Sequence, residues 1–186
     1  MKKQPEVTDM TKSAFVEAFC DYYRTQSIDK ISIKELAAKA GYSRATFYNY
    51  FTDVYDLLEY IEDELVSDLM KRVEAQMKED LSMEGFIDSF VKSVTEKETY
   101  ISVFMNESNS SSFISKMKQK MIPLLLDVFA VPDTDLQARY ALEFYLSGLI
   151  PVLGVWFREG RRMPVDELAA LIQGILKDGI LDQIRR

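Results

Sequence analysis

The sequence predicts an all-α protein of two domains: a three-helix helix-turn-helix domain over residues 1–52 and a larger helical domain over 53–186. Three observations predict it. Across 186 residues there are only seven glycines and five prolines, and apolar residues recur at helical spacing. No stretch alternates β-branched and polar residues as a half-buried strand would. Residues 31–51, ISIKELAAKAGYSRATFYNYF, carry the start, stop and restart signals of two short helices in succession.

The first helix runs from about Thr8 or Asp9 to Arg24. Phe15, Phe19 and Tyr22, at i, i+4 and i+7, form the stripe that covers the helix pair from behind. Met1–Pro5, with Lys2 and Lys3, reads as a solvated arm, too polar for a signal peptide. Gln26–Lys30 is a polar connection. Ser32 followed by Glu35 then predicts a capping box, and Ile33, Leu36, Ala37 and Ala40 make one apolar face behind it. Gly41 stops this helix, because glycine enters the left-handed region without a Cβ penalty. Ser43 caps a second helix from Arg44 to about Tyr50, anchored by Phe47 and Phe51.

Such a pair is the geometry that lays a second helix in the DNA major groove. Ala45, Thr46, Tyr48 and Asn49 face away from the anchors, with Ser43 and Arg44 at the leading end. Arg pairs with guanine, Asn with adenine, and Thr or Ala methyl groups meet the thymine methyl. Hydroxyls and helix-start N–H groups hold phosphates. On periodicity alone, an ordinary helical hairpin remains the alternative.

The wording of Leu36–Phe51 narrows the choice. LAAKAGYSRATFYNYF closely resembles the helix-turn-helix of the TetR/AcrR family of transcription regulators, whose pattern reads IA..AGVS.GTLY.YF. The match covers about the first 55 residues, and the remainder is similar in length and helical layout only. The resemblance implies that Tyr48 binds backbone phosphate and that Ser43, Arg44, Thr46 and Asn49 approach phosphates or bases. It also implies that Ser32 holds phosphate from the preceding helix. Tyr42, in the turn, joins this DNA-facing set. One position departs: where the family often carries a phosphate-binding lysine, this chain has Val54, which predicts weaker affinity and a flatter salt dependence.

A long helix follows from Thr52 or Asp53 to Met77, with Asp53 and Asp56 at its positive end. Leu57, Leu58, Ile61, Leu65, Leu69 and Val73 mark its buried stripe; Glu59, Glu62, Asp63 and Glu64 read as a solvated face. Some 24 residues would span roughly 36 Å. The next helix, about Met83–Lys97, presents Phe86, Phe90 and Val94. Tyr100–Met105 is short and apolar, Asn106–Ser112 a polar surface loop. Ser112–Phe129 carries Phe113, Met117 and Met121, with Pro123 predicted to kink it.

Ala138–Phe157 is the most apolar stretch, and residues 144–157 hold only Ser147 as a plainly polar side chain. Fourteen such residues are too few to span a bilayer, so a buried core or interface helix is expected and no membrane partner. A last helix begins at Pro164–Glu167 and runs to about Ile184, with Leu168, Leu171, Ile172, Ile175, Leu176 and Ile180 along it. Two neighbouring helices apolar on more than one face predict a homodimer that pairs them into a four-helix bundle. The family resemblance implies the same, together with a palindromic double-stranded DNA operator and a small-molecule effector.

Charge and composition set limits. The net charge of −7 divides unevenly: eight Lys and Arg against six Asp and Glu over residues 1–52, fifteen against twenty-four over 53–186. A weakly basic head on an acidic body restricts DNA contact to the head. There are no histidines, so His-based general acid–base chemistry, His-containing triads and imidazole metal ligands are excluded. No cofactor and no enzymatic activity are expected. The lone Cys20 reads as a buried, inert thiol, and a reducing cytoplasm is the expected setting. Aromatic and methionine residues gather in the body: Phe86, Phe90, Phe104, Met105, Phe113, Met117, Phe144, Tyr145 and Trp156. They are candidates for lining an effector pocket, with plain core packing as the alternative. The reading these features support is a ligand-released repressor. A helical interaction protein that has lost useful DNA affinity is the alternative.

Overall fold

Helix follows helix from Pro5 onward. The computed structural model describes residues 5–77, 82–105 and 110–178, and among them there are nine α-helices and no strand. α1 (Pro5–Tyr23) leads through a 3-10 turn (Ile28–Lys30) to α2 (Ile33–Lys39) and α3 (Arg44–Tyr48). Then come α4 (Val54–Met77), α5 (Met83–Glu96), α6 (Glu98–Phe104), α7 (Ser110–Val128), α8 (Leu136–Arg158) and α9 (Val165–Asp178). Packing divides the chain into two units, Met1–Glu64 and Leu65–Arg186, so the divide falls inside α4 and not at its start. Met1–Gln4, much of the polar run after Met105, and Gly179–Arg186 with Ile180 lie outside the described residues.

In the first unit Pro5 opens α1, where its fixed φ and missing N–H cost nothing, so the helix begins earlier than the periodicity suggests. Phe15 and Phe19 are fully buried. The next residue of that ridge is Tyr23, not the expected Tyr22, because i, i+4, i+8 keeps the three rings in line. Phe19 and Tyr23 stand 5.0 Å apart, whereas Tyr22 is half-buried with the Lys39 ammonium 5.2 Å from its ring centre. Phe15 meets Phe47 edge-on at 5.3 Å and Phe51 at 6.4 Å. Burying each such ring contributes on the order of 2–3 kcal/mol.

Two details differ from expectation. The Ser32 side chain makes no capping bond, so the predicted capping box is not formed; its carbonyl alone takes the Leu36 N–H at 2.9 Å. Glu62, expected on a solvated face, is only 2 % exposed. The covered side of α4 passes from Val54, Leu57 and Ile61 to Val66, Leu69 and Val73, and Glu62 lies where it crosses over. Its charge, after burial itself, helps push the Tyr23 phenol up to about 12.

The second unit has an aromatic and aliphatic core. Phe86 and Phe90 stack nearly parallel at 5.8 Å, and Phe104 meets Phe113 at 5.5 Å. Tyr100–Phe104 is helical, within α6, and Ser110–Ser112, expected in a loop, form the first turn of α7. Pro123 lies inside α7 on its exposed side. Gly154 of α8 lets the end of α6 come close: a Cβ there would stand 2.9 Å from the Met105 carbonyl oxygen. Arg158 donates to that carbonyl at 3.3 Å, Arg161 pairs with Glu98 at 2.6 Å, and the Trp156 indole donates to Met163 at 2.7 Å. Lys118 of α7 pairs with Glu143 and bonds Ser147 of α8.

α8 runs 23 residues, longer than its apolar centre suggested, and by length and composition alone it could cross a membrane. One side buries Leu146, Leu149, Ile150, Leu153 and Trp156. The other leaves Tyr140 70 % and Phe144 86 % exposed, with Val152 and Val155 further along the same side.

Candidate nucleic-acid interface

The α2–α3 pair is built almost entirely from local signals. α2 ends in the two-bond pattern that a left-handed residue permits: Gly41 has φ 77°, its N–H donates to Ala38 at 3.1 Å, and the Tyr42 N–H donates to Ala37 at 2.9 Å. Ser43 then caps α3, its hydroxyl oxygen accepting the Thr46 N–H at 3.1 Å and lying 2.9 Å from the Thr46 hydroxyl. Phe47, wholly buried, is the one residue of α3 turned inward.

Everything else on α3 is available. Ser43, Arg44, Ala45 and Asn49 are exposed, Thr46 is half-exposed, and Tyr48 is 51 % exposed with its ring edge-on to Phe47 at 5.8 Å. That contact fixes the tyrosine ring while leaving its hydroxyl to solvent. Tyr42 is exposed, but its ring lies 5.5 Å from Phe15 and its hydroxyl 3.5 Å from that of Thr11, so α1 positions it. Ser32 is exposed at the start of α2, its hydroxyl free of any cap. The seven residues singled out from sequence therefore sit on, or at the mouth of, one short helical pair. Sequence reasoning passed over Lys34, which stands exposed in the first turn of α2 beside Ser32; its proximity in sequence was the signal. Lys39 is different: it pairs with Asp21 at 3.0 Å and serves α1–α2 packing. Val54 is buried, and the first N–H groups of α4 are already taken by Asp53, at 2.8 Å from Tyr55 and 2.9 Å from Asp56.

The candidate effector residues divide. Phe86, Phe90, Phe104, Met105, Phe113, Met117 and Trp156 are buried in the second unit. The Tyr145 hydroxyl is buried without a hydrogen-bond partner, and burial raises its pKa. Phe144 does not join them: at 86 % it is the most exposed of the large apolar residues of α8, because four-residue spacing puts it in line with Tyr140 and Gly148. Three surface clefts, of about 520, 300 and 270 Å3, lie elsewhere, and none is lined by these nine residues. The cleft of about 520 Å3 runs between α5 and α9, past Asp88, Lys92, Asp166 and Gln173.

Comparison with known proteins bears on the fold and the family. Residues 23–61 match the model for bacterial regulatory proteins of the tetR family, and residues 82–178 match that for a transcriptional regulator C-terminal region. A search of curated proteins finds no match. Among solved structures, the fatty acid degradation regulator FadR from Bacillus halodurans superposes with TM-score 0.71 at 16% identity, over 95% of this chain and 96% of that one. FadR from Bacillus subtilis, solved with stearoyl-CoA, gives 0.69 at 16%, over 90% and 98%. NalD, the secondary repressor of the MexAB-OprM multidrug efflux pump in Pseudomonas aeruginosa, gives 0.67 at 18%, over 94% and 97%. At these identities the likeness is one of fold.

Proposed function

Because the chain belongs to the TetR family of transcription regulators, we propose that it is a repressor that binds a palindromic operator as a homodimer and is released by a small molecule. The observation that carries the DNA-reading part is α3 itself: one buried residue, Phe47, and an otherwise solvent-facing row of Ser43, Arg44, Thr46, Tyr48 and Asn49. Arg44 and Asn49 have the donors and acceptors for base edges. Ser32, Tyr42, Ser43, Tyr48 and Lys34 supply hydroxyls and a cation for phosphates. Two such heads related by a two-fold axis would read half-sites one or more helical turns apart.

The effector belongs to the second unit, where Phe86, Phe90, Phe104, Met105, Phe113, Met117, Tyr145 and Trp156 offer apolar surface and polar handles. FadR from Bacillus subtilis was solved with stearoyl-CoA, which supports an apolar effector as the class to screen first. A ligand favouring one dimer geometry would shift the population away from the head spacing that fits successive major grooves.

Selection of bound duplexes from a random pool, at two salt concentrations, tests the DNA reading. Wild type should enrich one palindrome, and a variant carrying Arg44→Ala and Tyr48→Phe should not. Replacing Arg44 alone should reduce the slope of log affinity against log salt by about one if it contacts phosphate, and relax one base position if it contacts guanine. The reading as an interaction protein without DNA affinity draws support from Val54 and from the self-capped start of α4. No enrichment at either salt, before and after refolding, would favour it.

A further inference from the structure

The turn that leads into α2 is thinly held. Ile28, Asp29 and Lys30 bury no side chain, and neither Ser27 before the turn nor Ser32 after it makes a side-chain capping bond. Lys30 to Ser27 and Ile31 to Ile28, both 3.0 Å, close the turn on itself, and Ile31 is its buried anchor. A further hold comes from α4. Tyr55, in the first turn of that helix, donates its phenolic hydrogen to Oδ1 of Asp29. Tyr55 is itself well placed to act as a fixed point. Its N–H donates to Asp53 Oδ1 at 2.8 Å, and Asp56 returns a carboxylate oxygen to the Thr52 N–H at 2.7 Å and hydroxyl at 3.1 Å.

We propose that Tyr55 is a positioning residue for DNA reading: by holding Asp29 it fixes the lead-in to α2, and with it the α2–α3 pair, against the first turn of α4. The proposal rests on the DNA reading above and names the side chain through which α4 registers the reading helices. A phenol donating to a carboxylate makes a charge-assisted bond, stronger and more directional than a neutral pair. Both side chains are exposed, with Tyr55 at 51 %, so the bond adds little to global stability and its effect is on angle. The bond also raises the Tyr55 pKa, so it persists across the neutral range.

The test is operator affinity of the full-length protein, by fluorescence anisotropy across a salt series, on the duplex recovered from the random pool. Tyr55→Phe and Asp29→Ala should each weaken binding roughly three- to ten-fold, and together no further than either alone, the non-additivity expected of contacting partners. Asp29→Asn, which sheds the charge but keeps an oxygen acceptor, should bind better than Asp29→Ala. Melting temperature and salt slope should not move. Unchanged affinity in Tyr55→Phe, or additive losses, would overturn the proposal. So would a salt slope reduced by about one, which would make Tyr55 a direct phosphate contact. Each of these leaves the DNA reading standing. If wild type binds no duplex better than the Arg44→Ala variant, the DNA reading itself falls and this proposal with it.

Discussion

Two residues occupy the same backbone position at the ends of different helices, and they make opposite predictions. Gly41 follows α2 with φ 77°, and Ala130 follows α7 with φ 52°, its N–H donating to Asp127 at 3.0 Å and that of Val131 to Leu126 at 2.8 Å. A Cβ is strained in this region whatever the surroundings. Ala130→Gly should therefore stabilise the protein by up to about 1 kcal/mol, read as a rise of a few degrees in melting temperature. Gly41→Ala should cost about as much, through the backbone alone, since a Cβ there meets nothing within 4 Å. Buried titratable groups give a second residue-scale prediction. Burial pushes the Cys20 thiol up to about 12 and is the chief cause that puts Tyr23 at about 12 as well. Both folded values are raised above the unfolded ones, so their contribution is intact below pH about 9 and is lost as pH rises toward 12. Urea midpoints should fall from pH 9 upward, and Cys20→Ala should flatten the first part of that fall. The same thiol should ignore disulfide reagents at pH 7 until the protein unfolds. At this scale the sequence was readable where the signal was local. Gly41, Ser43 and Phe47 depend on neighbours within four residues. Tyr22 and Tyr23 are adjacent aromatics, and only the line from Phe15 through Phe19 decides between them.

At the scale of elements, the close approach of α6 to α8 is specific enough to test. Gly154 faces the Met105 carbonyl, and the added Cβ of Gly154→Ala would stand 2.9 Å from that backbone oxygen. Backbone cannot swing aside as a flexible side chain can, so this substitution should destabilise by about 1–3 kcal/mol although alanine is the better helix former. Gly148→Ala is the control within the single chain: nothing of the same chain lies within 4 Å of its Cβ, and on a Phe144→Glu background, which removes pairing through that side, it should stabilise slightly. A chemical denaturation series on both variants separates packing from propensity. In sequence the two glycines are equivalent flat places on an apolar helix, and nothing local tells which one a neighbouring helix uses. Glu62 shows the same limit from the other side. Helical period describes a stripe, while the drift of the covered side along α4 follows from the helices packed on it. Phe86, Phe90 and Met117 were legible as inward residues, but a core stripe and a pocket lining have one sequence pattern, since each needs apolar side chains on one face.

For the whole molecule the open side of α8 is the feature that a single chain leaves unresolved. Tyr140 and Phe144, with Val152 and Val155 partly exposed further along, leave apolar surface in water, and burying either aromatic ring would contribute roughly 1.5–3 kcal/mol. Exposed apolar surface of this kind on monomers marks association sites. Periodicity did not reveal which side would be open, because a helix apolar all round has no preferred face until its neighbours claim one. Two covers are physically available, a bilayer and a second copy. Against the bilayer stand Arg139, Glu143 and Ser147 along the same helix, with Lys118 of α7 joined to the last two. A two-fold pairing would instead set Phe144 of each protomer against an apolar surface like its own, as a self-complementary interface requires. Sedimentation should then give twice the 21.5 kDa chain mass in the absence of detergent. Phe144→Glu would place a charge at the centre of the interface. It should shift the protein to monomer at micromolar concentration and leave the thermal unfolding of the single chain nearly unchanged, because that side chain is 86 % exposed to begin with. Its operator affinity should fall by orders of magnitude, since one head alone contacts one half-site. A Phe144→Glu protein that stays dimeric would move the interface to another surface, and wild type that requires detergent to stay dispersed would return the choice to the bilayer.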